Sequence, residues 1–586
     1  MFRRIPSRPF SETRQNHSPL ILPLSGQFPL VPQRYISNSR LKGAAFVNPS
    51  IPFALDPYEN LYRYESSRFL YGEEEQLKER YKKFSVPALM EVSRKATSSR
   101  ACVDISKHAE STFKKDFLCT MDDGKKVIAR IPHDLDRAPR YTTASEVATM
   151  DFVRRKVNIP VPEVFDYSIE SNNEVGSEYI IMEYVRGEPL GTYWDDLQIT
   201  DKGRIVLQLV EQLSPLLALQ FSKYGNLYFK SDIPSTESAP HLYNEPSADD
   251  SKYCIGPSSW FEFHDPERLA VGMSRGPCTS LSSWINIGTT PEEMWTSICE
   301  REIKWISKHA KPRDEDDPLR QLDSQECPQS HIEILQKCIE LAPSLTPPFP
   351  SAVPTLWPSY LFPNDILVSY HVGEPPRIVS FHDWLKVDIG PLYLQHRVPR
   401  FITNADSAKK ETHPDLPEDR PLERLYREYL HMLHPDKTES LQISYARLQK
   451  RLMNHCGFSW TVRNLLHDVR VDLIYLLKNW KEMGLMGSPP ITLSDEILKT
   501  HEIEGKDWES NWEWIRTVMK NLGIDKNGEV TIEEYAAKKE ELERLKNIWI
   551  QELKTLWEKH QGKVEEMEGE HLFEAAWPFR YPHFGF

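Results

Sequence analysis

Apolar positions between residues 113 and 185 follow the patterns of strands and of one helix. Residues 113–121 and 126–131 are rich in β-branched and aromatic side chains and flank Asp122-Asp123-Gly124, so we predict a β-hairpin. Residues 142–156 begin with Thr-Thr-Ala-Ser-Glu, a suitable N-cap, and are predicted to form a helix that carries Glu146. The apolar run at 178–185 predicts a strand that ends in a linker.

The other periodic segments are helical. Apolar stripes run through residues 72–95, 195–228 and 291–309, and the chain from residue 401 onward is also mainly helical in pattern. Residues 230–252 are polar and rich in Pro and Ser, so we predict an exposed insertion there. A hairpin, a helix, a strand and a linker followed mostly by helices is the element order of an α+β, kinase-like fold.

In a kinase-like fold this order belongs to the smaller of two lobes, an antiparallel β lobe; a mainly helical lobe would follow, and here a helical C-terminal extension. We predict the smaller lobe, with a preceding helix, at 58–190. The larger lobe is predicted at 191–410 and contains the insertion 230–252, and residues 411–586 are predicted to be its helical C-terminal part.

Composition narrows the classes of function. The 586 residues carry a formal net charge of −14 at pH 7, which argues against a protein that binds nucleic acid by neutralising phosphates. No uninterrupted apolar run approaches the roughly 18 residues of a membrane span, so no transmembrane segment is expected. The eight cysteines are scattered without metal-ligand spacing. This favours a reducing compartment over a disulfide framework or a zinc site.

The first 50 residues differ from the rest of the chain in charge. They hold six arginines and one lysine against a single acid, Glu12. Abundant Ser and Arg with few acids is typical of a mitochondrial presequence, because a cationic amphipathic segment is drawn toward the negative side of an energised membrane. We therefore predict import into the mitochondrion, with the matrix as destination; the alternative is a disordered basic tail.

Four segments of the sequence together resemble a known family. They are ARIPHDLDRAPRYTTASEVATMDFVR, VGSEYIIMEYVRGEPL, YCIGPSSWF and RIVSFHDWLKVDIGPLYLQHRVPRF. In this order they are similar to the aminoglycoside phosphotransferase-like family, and more closely to its fungal mitochondrial branch, which is named for altered inheritance of mitochondria. The resemblance extends from about residue 58 to the C-terminus. It implies a two-lobed, protein-kinase-like fold in which ATP and Mg²⁺ bind between the lobes.

The resemblance places the nucleotide-binding positions in the smaller lobe and the linker. The predicted phosphate loop corresponds to 109–113 and has no glycine, so we expect it to cover phosphates poorly. The cation on the third strand corresponds to Arg130 and its helical partner to Glu146; the alternative is a purely structural ion pair. Glu183 and Val185 correspond to the positions whose backbone meets the adenine.

The catalytic loop departs furthest from the family. Phosphotransferases use an Asp to accept the proton of the substrate hydroxyl, and an Asn and a second Asp to hold Mg²⁺. The resemblance puts Tyr360 at the position of the base, so no catalytic residue is assigned, since a tyrosine hydroxyl is ordinarily neutral at pH 7. It puts Asp365 and Asp383 at the metal positions, where a carboxylate suits Mg²⁺. His382 is a poor substitute base, because alternation places it on the other face of its strand.

Three expectations about function follow. The first is a mitochondrial pseudo-phosphotransferase with weak or absent binding of ATP and Mg²⁺, a regulatory or structural role, and an unidentified small molecule or protein as partner. The second is an active ATP-dependent small-molecule phosphotransferase with a divergent catalytic loop, because phosphoryl transfer depends mainly on positioning and charge stabilisation. The third is a pure interaction scaffold.

Overall fold

The computed structural model describes the chain from residue 56 onward, with gaps. The described residues are 56–133, 140–239, 241–259, 290–313, 323–348, 350–370, 374–385, 387–403, 420–460, 465–524, 527–561, 577 and 579. The predicted presequence at 1–50 lies outside these residues.

Strands are concentrated before residue 260 and between residues 354 and 391, and helices dominate the rest of the described chain. The strands are β1 Arg68–Phe69, β2 Cys102–Glu110, β3 Lys114–Met121, β4 Lys126–Pro132, β5 Val164–Ser168, β6 Tyr179–Glu183, β7 Glu188–Pro189, β8 Asn226–Phe229, β9 Tyr253–Gly256, β10 Pro354–Trp357, β11 Ile366–Ser369, β12 Arg377–Phe381, β13 Asp388–Pro391 and β14 Glu529–Val530. The helices are α1 Glu59–Tyr62, α2 Glu73–Arg80, α3 Val86–Thr97, α4 Tyr141–Phe152, α5 Ile199–Leu213, α6 Pro291–His309, α7 Pro328–Leu341, α8 Leu392–Gln395, α9 Pro421–Leu433, α10 Ala446–Gly457, α11 Leu466–Lys478, α12 Asp495–Leu522 and α13 Ile532–Gln561.

The smaller lobe is built on a five-stranded antiparallel sheet with the order β2-β3-β4-β6-β5. The predicted hairpin is confirmed as β3 and β4, which pair from Lys114 opposite Pro132 to Thr120 opposite Lys126. Gly124 has a φ of +84° in the connecting turn, a conformation that a residue without Cβ adopts readily. The predicted helix is confirmed as α4, which brings Glu146 into the interior beside the sheet; the predicted threonine N-cap is wrong, because the helix begins at Tyr141, after Arg140, without a side-chain cap.

The linker after β6 leads into a second sheet, with the order β12-β11-β7. There β7 pairs with β11, the strand that follows the predicted catalytic loop. Gly187, just before β7, approaches this sheet so closely that an added Cβ would lie 2.8 Å from Cγ2 of Val379 and 3.1 Å from Cβ of Leu367. The linker can lie against β11 and β12 only because position 187 has no side chain.

Two apolar clusters form most of the described interior of the larger lobe. The first contains residues of α4 and β4 together with residues of α5 and β10 to β13, so it joins both lobes. Phe152 and Trp384 are among its largest buried members. The second is formed by α6, α7, α10 and α11 around Trp295. A small antiparallel sheet joined to a mainly helical body confirms the predicted α+β, two-lobed kinase-like fold.

The C-terminal extension packs against the segment that precedes the smaller lobe. Strands β1 and β14 pair antiparallel, with Phe69 opposite Glu529. The hydroxyls of Tyr64 and Ser67 donate to the carboxylate of Glu529 at 3.1 Å and 2.6 Å. Beside this ladder, Leu70 packs in an apolar cluster with residues of α12 and α13. Two segments more than 450 residues apart in sequence therefore form one unit.

Two helices predicted from apolar stripes are wrong in extent. The stripe at 72–95 is divided into α2 and α3, because Tyr81 is extended and Oγ of Ser85 caps a new helix by accepting the N–H of Ala88 at 3.3 Å. The helix predicted at 195–228 is shorter, since α5 ends at Leu213 and a 3-10 turn follows at Ser214–Ala218. The helix predicted at 291–309 is confirmed as α6.

Residues 230–252 connect β8 to β9, which pair with each other. The boundaries at 58–190, 191–410 and 411–586 remain predictions. Among the helices in the described part of the chain, none is both long and apolar enough to cross a bilayer.

Candidate functional site

The predicted catalytic loop connects β10 to β11 and ends in a 3-10 turn at Pro363–Asp365. Tyr360 lies in this loop with 61% of its surface exposed, and the ammonium of Lys450 lies 4.9 Å from the centre of its ring. Strand β11 then pairs with β12, which leads directly to Asp383. The two candidate metal positions, Asp365 and Asp383, are thus brought to the same end of the β11–β12 pair.

Asp365 is buried, and its polar groups are used within this corner of the fold. Oδ2 accepts the N–H of Phe362 at 2.8 Å, and the backbone carbonyl accepts the N–H of His382 at 3.0 Å. Burial and the charge of Asp383 raise the pKa of Asp365 well above its ordinary value, which favours the neutral carboxyl. The side chain of the neighbouring Asn364 lies against Gly191. A Cβ added to Gly191 would lie 2.0 Å from Oδ1 of Asn364.

Asp383 is paired with a cation that the sequence patterns had not suggested. The ammonium of Lys114 lies 2.7 Å from Oδ2 of Asp383, whose side chain keeps 19% exposure. Oδ1 accepts the N–H of Leu385 at 3.0 Å. Burial alone would raise the pKa of Asp383, but the charges of Lys114 and Arg130 outweigh it and hold the pKa below its ordinary value. The carboxylate is therefore ionised and already bound to a positive charge.

Lys114 is a member of this site that the sequence patterns did not identify. It is the first residue of β3, is only 3% exposed, and its ammonium also lies 3.9 Å from Oε1 of Glu146. The signal was present as Lys114-Lys115-Asp116, three charged residues at the start of a strand that is otherwise mostly apolar. Because side chains alternate along a strand, Lys114 and Asp116 share the face that looks toward α4 and Asp383.

Arg130 is held by two carboxylates. Nε and Nη2 donate to the two oxygens of Asp116 at 2.8 Å and 2.9 Å, and Nη1 donates to Glu146. Nη2 also reaches the backbone carbonyl of His382 at 3.3 Å, which connects the smaller lobe to the larger. Burial would lower the pKa of Arg130, but Asp116 and Glu146 raise it well above its ordinary value. The structure thus brings Arg130 and Glu146 into contact, in a cluster that is almost wholly buried.

Glu146 is buried within this cluster, and His382 beside it is partly buried. Burial raises the pKa of Glu146, although the charges of Arg130 and Lys114 oppose the change. Burial, followed by the charges of Lys114 and Arg130, lowers the pKa of His382 to about 4. His382 is therefore neutral at pH 7 and adds no charge to the site.

Glu183 and Val185 lie where the smaller lobe passes into the linker. Glu183 is the last residue of β6; its carboxylate accepts the N–H of Glu163 at 3.1 Å and pairs with Arg154 at 3.5 Å. Its own N–H donates to the carbonyl of Glu163 at 2.8 Å. These bonds bind Glu183 to the segment before β5, and Val185 follows two residues later in the linker.

The predicted phosphate loop is a tight turn between β2 and β3. The N–H of Ser111 donates to the carbonyl of Lys114 at 2.9 Å, and the N–H of Phe113 donates to Oγ of Ser111 at 3.3 Å. His133 holds the other side, with its N–H donating to the carbonyl of Phe113 at 2.8 Å and Nδ1 lying 2.9 Å from the carbonyl of Thr112. Two N–H groups that a phosphate-binding loop would direct at its ligand are used inside the turn.

This arrangement does not fit a Mg²⁺ site of the kind that the fold uses. Asp383 is bound to Lys114 through one oxygen and to backbone through the other, and the carboxyl of Asp365 is bound in its own turn. Throughout the described ranges, no group of three or more His, Cys, Asp or Glu side chains is arranged to hold a metal ion. The site is instead a buried network of ion pairs between the lobes.

Comparison with known proteins gives relatives but no matching family model. A subtelomeric hrmA-associated cluster protein of Aspergillus fumigatus is 30% identical over 467 residues, which cover 73% of this chain and 89% of that protein. Altered inheritance of mitochondria protein 9 of Candida albicans is 35% identical over 150 residues, 24% of each chain. The solved streptomycin-ATP-APH(2")-IIa ternary complex aligns with 68% of this chain and 98% of its own, at 12% identity and a TM-score of 0.33.

The similarity to the A. fumigatus protein extends over most of both chains. The chain therefore belongs to the same family as this A. fumigatus protein.

Proposed function

We propose that the protein is a mitochondrial, kinase-like pseudo-phosphotransferase with a structural or regulatory role. The observation that carries this proposal is Tyr360. Where a phosphotransferase has the Asp that accepts the substrate proton, this chain has an exposed phenol beside the ammonium of Lys450. A positioned general base contributes about 10²–10⁴-fold to a reaction rate, and a phenol does not supply a resting carboxylate.

Weak or absent binding of ATP and Mg²⁺ is part of the same proposal. The turn at the predicted phosphate loop uses the N–H groups of Ser111 and Phe113 internally. Arg130 is directed at Asp116 and Glu146, and it is 1% exposed, so its guanidinium is not directed at a ligand. These contacts support a cleft held together by its own charges. Glu183 and Val185 remain the candidate adenine contacts.

Mitochondrial location is supported by two independent points. The C. albicans relative is named a mitochondrial protein. The first 50 residues of the present chain have the composition of a mitochondrial presequence, with the matrix as the destination. Fractionation of the tagged full chain tests this, because recovery outside mitochondria contradicts it.

Measurement of ATP turnover tests the loss of activity. We expect the purified chain to consume no ATP above background in the presence of Mg²⁺, and Asp383→Ala to be indistinguishable from it. Two further variants are measured in the same assay. Tyr360→Asp restores a carboxylate at the base position, and Tyr475→Asp is its matched control, because Tyr475 is also an exposed tyrosine, 53% accessible. Turnover by the unaltered chain that is lost in Asp383→Ala contradicts the proposal.

An active small-molecule phosphotransferase is the alternative. It is favoured by Asp383, whose carboxylate is ionised and keeps 19% exposure. In that case phosphoryl transfer would depend on positioning and charge, as such transfer largely does. The same turnover measurement separates the two functions, since only the alternative expects ATP consumption that requires Asp383.

A further inference from the structure

The ammonium of Lys114 lies beside Asp383, the residue that the resemblance makes a ligand of the divalent cation. Its Nζ lies 2.7 Å from Oδ2 of Asp383 and 3.9 Å from Oε1 of Glu146. We infer that Lys114 is a built-in substitute for this cation: it supplies the positive charge from within the chain and excludes Mg²⁺ from Asp383. Removing the ammonium should uncover a site for a divalent cation.

Each carboxylate oxygen of Asp383 already has a partner in the chain. Mg²⁺ binds carboxylate oxygens at about 2.0–2.1 Å and demands near-octahedral geometry. Oδ2 already contacts Lys114, and Oδ1 already accepts the N–H of Leu385 at 3.0 Å. A Mg²⁺ ion on Oδ2 would share that oxygen with the ammonium, and the two positive charges would repel each other. The ion must therefore displace Lys114 to bind.

The backbone keeps Lys114 in this position. Its carbonyl accepts the N–H of Ser111 at 2.9 Å and closes the turn, and it pairs in the ladder opposite Pro132. The side chain is 3% exposed, so an ammonium moved away from Asp383 would have to cross the interior or lose its partner. Separation of a buried ion pair is strongly unfavourable.

The neighbouring charges explain why Lys114 is available to Asp383. Arg130 binds both oxygens of Asp116 and also contacts Glu146. These two carboxylates therefore have a partner of their own, and Lys114 is left to balance Asp383. Asp116, Glu146 and Asp383 together face two cations, Arg130 and Lys114, so a divalent ion added without displacement of Lys114 would reverse the sign of the cluster's charge.

Titration of the full chain with Mn²⁺ alone tests the inference. Free Mn²⁺ is followed by its paramagnetic resonance signal in the unaltered chain, in Lys114→Gln, and in Lys114→Gln with Asp383→Asn. Lys125→Gln is the matched control, because Lys125 forms an exposed pair with Asp123 at 2.9 Å on the same hairpin. We expect Lys114→Gln to bind one Mn²⁺ at least about ten-fold more tightly than the unaltered chain, in the submillimolar range of weak carboxylate sites. The double variant and Lys125→Gln should show no gain.

Two results would overturn the inference: Mn²⁺ binding by the unaltered chain that requires Asp383, or a folded Lys114→Gln that binds Mn²⁺ no more tightly than the unaltered chain. If Lys114→Gln does not fold, thermal unfolding of the unaltered chain in millimolar Mg²⁺ decides. No rise in Tm supports the inference, and a rise that Asp383→Asn abolishes overturns it.

The inference rests on the proposed function only in placing the family's metal position at Asp383, and the two fail separately. Mn²⁺ binding by the unaltered chain without ATP turnover overturns the inference alone. ATP turnover that requires Asp383, without Mn²⁺ binding in the absence of nucleotide, overturns the proposed function alone.

Discussion

Replacing Arg130 by methionine should destabilise the fold by about 3–5 kcal/mol, the loss expected when one member of a buried ion pair is removed. The guanidinium makes two bonds to Asp116, at 2.8 Å and 2.9 Å, and one to Glu146, and all three side chains are at least 94% buried. Methionine preserves the volume but leaves two buried carboxylates without this cation. A stability of about 5–15 kcal/mol is typical of folded proteins, so the loss is a large fraction of the total.

Two further substitutions divide this effect into charge and geometry. Arg130→Lys keeps one positive charge but loses the planar fork, so it should lose about 1.5–3 kcal/mol, the contribution of one hydrogen bond to a charged group. Adding Asp116→Asn to Arg130→Met removes one of the two orphaned charges and should recover part of the lost stability. The expected order of stability is the unaltered chain, Arg130→Lys, the double variant and then Arg130→Met.

Guanidinium unfolding, followed by tryptophan fluorescence and far-ultraviolet circular dichroism, measures these differences. The control is Arg100→Met, because Arg100 lies 3.9 Å from Asp122 with its side chain 97% exposed and should leave the transition unchanged. If Arg130→Met unfolds at the same denaturant concentration as Arg100→Met, Arg130 is not a structural ion-pair partner. A role in phosphate binding alone would give that result.

Three other substitutions have expected outcomes. The pKa of Asp365 is raised in the folded chain, so the unfolded chain loses this proton first as the pH rises above about 3.9. Between that pH and the raised pKa of the folded state, Asp365→Asn should gain stability over the unaltered chain by up to about 1.4 kcal/mol per pH unit. A difference in unfolding free energy that does not change with pH contradicts this. Glu529→Gln weakens the acceptor for Tyr64 and Ser67 and should lower the unfolding free energy by about 1–3 kcal/mol, measured by denaturant titration. Gly187→Ala forces a Cβ against β11 and β12 and should destabilise the chain by about 1–3 kcal/mol; an unchanged Tm would show that the linker moves freely.

The predictions that the structure confirms depend on residues that lie close together in the sequence. The hairpin of β3 and β4 has its turn residues next to its strands, and Pro291–His309 begins with a Thr290 cap and Pro at its first position, so both are encoded within about 20 residues. The contact of Arg130 with Glu146 could be expected because the resemblance supplies both positions. Composition alone identified neither Arg130 nor Glu146.

Lys114 could not be placed from the sequence, because its role depends on a partner 269 residues away. A lysine at the start of a strand is ordinarily a solvated residue, and only the approach of the loop after β12 buries it. The β1–β14 ladder was missed for a similar reason. A two-residue strand carries no period that a pattern could detect, and its partner follows 460 residues later.

The β1–β14 ladder also sets the order in which the molecule can be completed during synthesis. Phe69 can pair only after Glu529 has been synthesised, and at about 5–20 residues per second the ribosome needs roughly 20–90 s to translate the chain between them. During that interval the segment beside the predicted phosphate loop has no strand to pair with. The β1–β14 pairing at the N-terminal side of the smaller lobe therefore forms only when nearly the whole chain has been synthesised.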